Sequence, residues 1–249
     1  REQIRRIYRH LESLWSREGA TIQAAFESET LIAVGRGESL TWVLPDDACW
    51  RPTGVRFLDT RYPPLNSQYE DHTNFFTRLL HVPPELELAK WVDALAELEA
   101  VESQSEREDI AIAIYRRLSR ELAAQSSTNP PSPLPTWVGR MKTQPLFLNH
   151  RGRLISNSAS LYFNDAPEYA VLFRDSPDVS LLAIPPEQLS AVTQLLTKSG
   201  VRNLSASLKV TVAPGIEGAP DEQLTQKLRD MFMCVARVAY GQSHERFES

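Results

Sequence analysis

The stretch "IAIYRRLSREL", residues 112–122, says again what residues 4–14 have already said as "IRRIYRHLESL". Each places apolar side chains at i, i+3, i+4 and i+7 with charges between them, the spacing of an amphipathic helix. In the first, the stripe is Ile4, Ile7, Tyr8, Leu11, Leu14 and Trp15. Tyr8 and Tyr115 stand 107 residues apart. Either one helical idiom is used twice, or each copy opens a larger unit, and the two readings differ in what must follow.

A duplicated unit requires that "VRFLD", a short apolar stretch ending at Asp59, recur near residue 166; "LYFND" ends at Asp165. "LLHV", ending at Val82 after an apolar helix, is answered by "KSGV", ending at Val201 after another. The longer second offset leaves room for an added strand pair between Asp165 and Pro186. Three landmarks in one order point to a degenerate tandem repeat. The expected division is a first unit at 1–105, a second at 106–218, and a C-terminal helix and tail at 219–249.

Around these landmarks the pattern predicts a helix over 3–15, then strands at 30–35 and 40–44 joined by the turn "RGES", and a third strand at 55–59. "YPPL", 62–65, must be extended, because each proline fixes its own φ and disfavours helix in the residue before it. Helices follow over 66–80, ending near His81, over 83–101, and over 107–124. The proline-rich 126–135 reads as a surface loop. Strands are predicted at 146–149, 153–156, 160–165, 169–173 and 179–184, with a helix over 186–198 capped by Gly200. A strand at 204–212 and a helix over 219–241 complete the chain. The fold class expected is α+β: two related units, each a small, mostly antiparallel sheet with helices packed on it.

Lys and Arg total 27 against 32 Asp and Glu, and a net charge of −5 supplies no overall field to gather nucleic acid or anionic membrane. The dense basic group, Arg1, Arg5, Arg6 and Arg9, reads as a solvated helix face, with nucleic-acid binding through it as an alternative. Cys49 and Cys234 sit in apolar settings far apart, as core residues of a reducing compartment do. No apolar run reaches the roughly 20 residues of a membrane span. The chain opens at Arg1 inside a helix and reads as a piece of a longer, cytoplasmic protein.

The order of helix with "IY..L", strand block, "(V/L)(R/Y)F(L/N)D", helix with "FF", then an "LGV"-type ending and "LS" resembles the repeat regions of sacsin-like proteins and their NO VEIN-type relatives. Those are large polypeptides that pair such regions with an ATPase domain of the gyrase and histidine-kinase type. The resemblance runs from Ile7 to about Leu208. His81 departs from it where the "LGV" glycine would fall, and Gly200 keeps it. It implies a scaffold or transducer region of a chaperone-like or defence-related ATPase, partnered by other domains of the same polypeptide or by other proteins. With no "DxGxG" stretch and no glycine-rich lid, the family's ATP-binding residues map onto no position here.

Candidate chemistry is sparse. The five histidines, His10, His72, His81, His150 and His244, show neither the i, i+4 spacing of a helical metal site nor a neighbouring cysteine. His81 reads as a helix end in left-handed geometry. Glu70, Asp71 and His72 in "YEDHTNFF" read as an acidic first turn of a helix. The alternative is a hydrolase or nuclease accessory site gathering Asp71, His72 and His150. "GRG" at 35–37 lacks the Lys-Ser or Lys-Thr of a phosphate loop, no "GxSxG" elbow appears, and "ISNSAS" reads as turn chemistry. Most of Trp15, Trp42, Trp50, Trp91, Trp137, Tyr62 and Tyr69 are expected in the core. Asp59 and Asp165 are expected to accept amide hydrogen bonds in a shared capping role. No catalytic, cofactor-binding or metal residue is assigned, and the region is expected not to be an enzyme.

Overall fold

In the computed structural model the described residues are 2–35, 39–126, 133–157 and 160–208, together with helical positions 222, 223, 226, 227 and 229. Residues 1–208 form one compact unit and 209–249 a second. Most of the predicted 219–241 helix, Cys234, "RGE" and most of the proline-rich loop lie outside the described residues.

Helix α1, Glu2–Ser28, runs well past Trp15 and bends at Glu18. Ile22 and Phe26 extend its buried stripe beyond the predicted end. Gly19 lets the Trp15 ring lie against the helix, since a Cβ there would stand 3.0 Å from Trp15 Nε1. β1 (Ile32–Val34) and β2 (Thr41–Val43) form the predicted antiparallel hairpin. Next comes a segment at 49–51 bridged at Cys49 to Pro64 and bent at Trp50 and Arg51, then helix α2 (Arg56–Arg61). The predicted 66–80 helix is real but irregular: α3 (Asn66–Tyr69), a 3-10 turn (Glu70–His72) and a π-helical turn (Phe75–Leu79). It ends at His81, whose φ of 56° is the left-handed geometry expected of it. α4 (Leu88–Ala96) starts five residues later than its predicted prolines, because the Pro83 and Pro84 carbonyls accept hydrogen bonds from Trp50 and Arg51 and hold 83–84 extended.

The second half opens with α5 (Gln104–Ser126) and a helix the pattern did not reveal, α6 (Thr136–Thr143). β3 (Phe147–Leu148) and β4 (Leu154–Ile155) make an antiparallel pair as predicted. β5 (Leu161–Phe163) then leads to α7 (Pro167–Phe173), β6 (Ser180–Leu181), α8 (Leu189–Ser199), β7 (Arg202–Asn203) and the short α9 (Leu204–Ser207). β5 lies at the centre of a three-stranded sheet, parallel to both β6 and β7. The fold is α+β, with helices packed on antiparallel hairpins and one small parallel sheet.

Three predicted strands are helices instead. "VRFLD" forms α2, where Leu58 and Tyr62, one turn apart, are both buried. "YAVLF" forms α7, because Pro167 at the first helical position and Glu168 in the first turn are start signals that outweigh the apolar run. Residues 204–207 of the predicted 204–212 strand form α9, tied down by Asp165, which accepts hydrogen bonds from the amide and hydroxyl of Ser205. Partial burial works against an ionised Asp165, but those bonds outweigh it and hold the carboxyl below its ordinary pKa.

Several hydrogen bonds in the two halves are alike. Tyr8 Oη donates to Leu31 O (2.9 Å) and accepts from Ala33 N (2.8 Å). Tyr115 Oη donates to Leu146 O (2.8 Å) and accepts from Leu148 N (2.9 Å). Each hydroxyl thus clamps its helix to the first strand of a hairpin. Further on, Leu65 N donates to Cys49 O as Leu182 N does to Tyr162 O. Cys49 therefore answers to Tyr162, and "CWRP" rather than "VRFLD" is the counterpart of "YFND". Val82 N bonds Phe76 O just after His81, and Val201 N bonds Leu196 O just after Gly200, whose φ is 81°. Asp59 and Asp165 do not occupy equivalent places. Asp59 instead accepts from the amide and hydroxyl of Thr53, both at 2.7 Å.

One core gathers Tyr8, Ile22, Phe26, Ile32, Phe75 and Phe76; a larger one gathers Leu95, Tyr115, Leu118, Phe147, Leu161 and Leu195. α4 precedes residue 105, yet its Trp91, Val92 and Leu95 belong to the larger core, and it packs on α5 and α6. Because Tyr115 is fully buried, Tyr115→Phe is expected to orphan a buried carbonyl and amide. The cost should be about 1–3 kcal/mol per group, read from urea unfolding midpoints, with Tyr8→Phe behaving alike. Tyr115→Ala should cost about 3–5 kcal/mol. An unchanged midpoint in the Phe variants would show that the hydroxyl bridges do not hold the hairpins.

Candidate functional site

The acid and imidazole cluster at 70–72 does not assemble. The 3-10 turn points Glu70 and Asp71 into solvent and buries His72, which is 3% exposed. Neither ring nitrogen of His72 has a hydrogen bond; the nearest charge is Glu12 Oε2 on α1, 3.5 Å from Nδ1. His150 belongs elsewhere. Its Nε2 lies 2.9 Å from Arg174 O and its Nδ1 3.2 Å from Leu181 N, so a single tautomer, protonated at Nε2, donates to the first and accepts from the second. Both nitrogens are then spent on backbone. No contact joins Asp71, His72 and His150, and no group of three or more metal-ligating side chains occurs among the described residues.

The basic face of α1 is partly committed to structure. Arg5 donates from Nε (3.1 Å) and Nη2 (2.6 Å) to Gln68 O, locking α1 to α3. Arg6 lies 3.7 Å from Glu2 in an exposed pair of little energetic consequence. Arg9 is exposed, and Arg1 is outside the described residues.

A cavity of about 590 Å³ is lined instead by Asp47, Arg61, Tyr62, Lys90, Asp93, Glu97 and Arg140. Three ion pairs ring it: Arg61 to Glu97 at 2.6 Å, Arg140 to Asp93 at 2.7 Å, and Lys90 to Asp47 at 3.1 Å. The cations of Arg61 and Lys90 each stand 5.5 Å from the centroid of the Tyr62 ring, within cation–π range. Burial pulls the Lys90 ammonium down, but the hydrogen bond and charge of Asp47 more than offset it and hold it above its ordinary pKa. Charge is balanced, with three cations against three carboxylates. The cleft is therefore bordered by half-exposed ion pairs that link α2, α4, α6 and the turn at Pro45–Asp47. Sequence reasoning missed it because its members come from four separated segments with no shared spacing.

The remaining candidates resolve as structure. Trp50, Trp91, Trp137, Tyr62 and Tyr69 are buried and Trp15 is half-buried, whereas Trp42 is 47% exposed. No family model matches the chain, and no curated protein and no solved structure matches it significantly.

Cys49 is fully buried, and burial pushes its thiol up from 9.0 to about 11. That raises the cost of the nucleophilic thiolate rather than lowering it. At pH 8 the thiolate fraction of such a thiol is about a hundredth of the ordinary one. Iodoacetamide should accordingly label the Cys49 peptide at least about a hundredfold more slowly in the folded chain than in urea, followed by mass spectrometry. Comparable rates would show that the thiol is accessible and activated.

Proposed function

We propose that residues 1–208 serve as a non-catalytic scaffold or transducer region of a larger cytoplasmic, chaperone-like or defence-related ATPase, working through contacts with other domains of its polypeptide or with partner proteins. The observation that carries this reading is where the reactive side chains have gone. The Tyr8 and Tyr115 hydroxyls hold hairpins, His150 is bound by backbone at both nitrogens, and Asp59 and Asp165 bond turns and a short helix. His72 is sealed beneath α1. The similarity of the twice-used "IY..L", of "FF" and of the "LGV"-type ending at Gly200 to sacsin-like repeat regions supplies the parent class. No helix among the described residues is long and apolar enough to cross a membrane.

The test is turnover by the isolated chain with nucleotides and nucleic acids, with and without divalent metal; no turnover is expected. In the parent protein, His72→Gln should leave activity within a few-fold, since loss of a general base typically costs about 10²–10⁴-fold. A fall of that size with circular dichroism unchanged would overturn the scaffold reading.

A further inference from the structure

A groove of about 660 Å³ runs between α5 and α8. Its α5 wall is Arg116, Ser119, Arg120 and Ala123, which share one helical stripe. Across it stand Ser190, Thr193 and Gln194, and no carboxylate lines the groove.

The arginines are unlike their neighbour. Arg117 holds Glu85 at 3.2 Å and Glu121 at 3.8 Å. Arg116 and Arg120 are exposed, and neither has an ion-pair or hydrogen-bond partner among the described residues. Like charges one turn apart on a helix repel each other. Between them Ser119 is 4% exposed, and its hydroxyl lines the groove with no partner among the described residues. The hydroxyl opens onto the groove and stands available to an occupant there.

We propose that this groove binds an extended, acidic segment of a partner protein, with carboxylates at alternate positions. Four residues of helix place Arg116 and Arg120 about 6 Å apart. Alternate side chains of an extended strand lie about 6.6 Å apart on one face, so Glu-x-Glu presents one carboxylate to each guanidinium, whose planar fork suits it. The floor and far wall serve the peptide backbone. Ser119 and Ser190 can donate to its carbonyls. Thr193, whose hydroxyl donates to Leu189 O, and Gln194, whose amide donates to Ser126 Oγ, keep oxygens free to accept from its amides. Nucleic acid is disfavoured, because no aromatic side chain lines the groove to stack a base and the chain as a whole is negative.

The inference rests on the contact-based function proposed above but is tested separately, since a groove that binds nothing leaves the non-catalytic reading standing. The probe is a fluorescent peptide of alternating Glu and Ser, titrated with the full 249-residue chain at low salt and followed by anisotropy. Saturable binding is expected, abolished in the peptide with Gln in place of Glu. Arg116→Gln with Arg120→Gln should weaken it by at least about tenfold with melting temperature unchanged, and the paired Arg→Lys variant should fall between. Absence of saturable binding, equal binding of the Gln peptide, or an unaffected double variant would overturn the proposal. A single-stranded oligonucleotide bound more tightly than the peptide, with the same arginine dependence, would overturn it in favour of a nucleic-acid groove.

Discussion

A tyrosine hydroxyl bonded at both ends is the constraint around which each half of 1–208 is arranged. A two-stranded hairpin satisfies only one edge of each strand, and the outer edge of its first strand is left with buried donors and acceptors that water cannot reach. Tyr8 and Tyr115 solve this identically, each giving its proton to one carbonyl and accepting the amide two residues on. The next carbonyl on the same edge shows the same demand met by different chemistry. Ala33 O accepts from the Tyr69 hydroxyl, and its counterpart Leu148 O accepts from the Ala183 amide. What recurs is the need for a donor, and one half meets it with a side chain where the other uses backbone.

The same logic explains why the two halves look less alike than they are. In the second, β5 is flanked by β6 and β7 as an ordinary parallel sheet. In the first, the central segment 49–51 is flanked by Pro63–Pro64 and Pro83–Pro84, which accept but cannot donate. Cys49 N, Trp50 N and Arg51 N bond to the proline carbonyls, and Leu65 N and Asn66 N return bonds to Cys49 O and Trp50 O, but the prolines themselves return none and the ladder is a single bridge between Cys49 and Pro64. A left-handed residue then turns the chain after each following helix, glycine in one half and histidine in the other. His81 carries a strain that Gly200 avoids, of about 1–2 kcal/mol by the usual cost of left-handed geometry.

How much of this is legible before folding depends on how far each signal extends along the chain. The helices carrying Tyr8 and Tyr115 are legible because a 3.6-residue period over several turns has few rivals. Both hairpins are legible from β-rich runs on either side of a turn. "VRFLD" misleads because five residues with alternating apolar character are compatible with either strand or helix, and burial of Leu58 and Tyr62 one turn apart decides for helix only once a core exists to receive them. "YAVLF" carries its own correction in Pro167 and Glu168. α6 escapes because eight residues behind a proline-rich loop give too short a period to detect. Neither the charged cleft around Tyr62 nor the arginine groove can be read from spacing, since each is made by segments that only tertiary packing brings together.

The segment 48–50 joins the two cores. Successive side chains of an extended chain point to opposite faces, and here Ala48 and Trp50 enter the first core while Cys49 enters the larger one. The neighbouring backbone is bound on one side by Pro63 and Leu65 and on the other by Pro83 and Pro84. Close-packed interiors do not absorb a shift of one residue without a response from its neighbours. Trp50 stacks on Phe76 at 6.3 Å, while Cys49, the residue before it, lies in the other core with Leu58 and Tyr62. Tyr62 in turn carries Arg61 and Lys90 within cation–π range of its ring, so residues 48–50 join the first core to the one that borders the charged cleft.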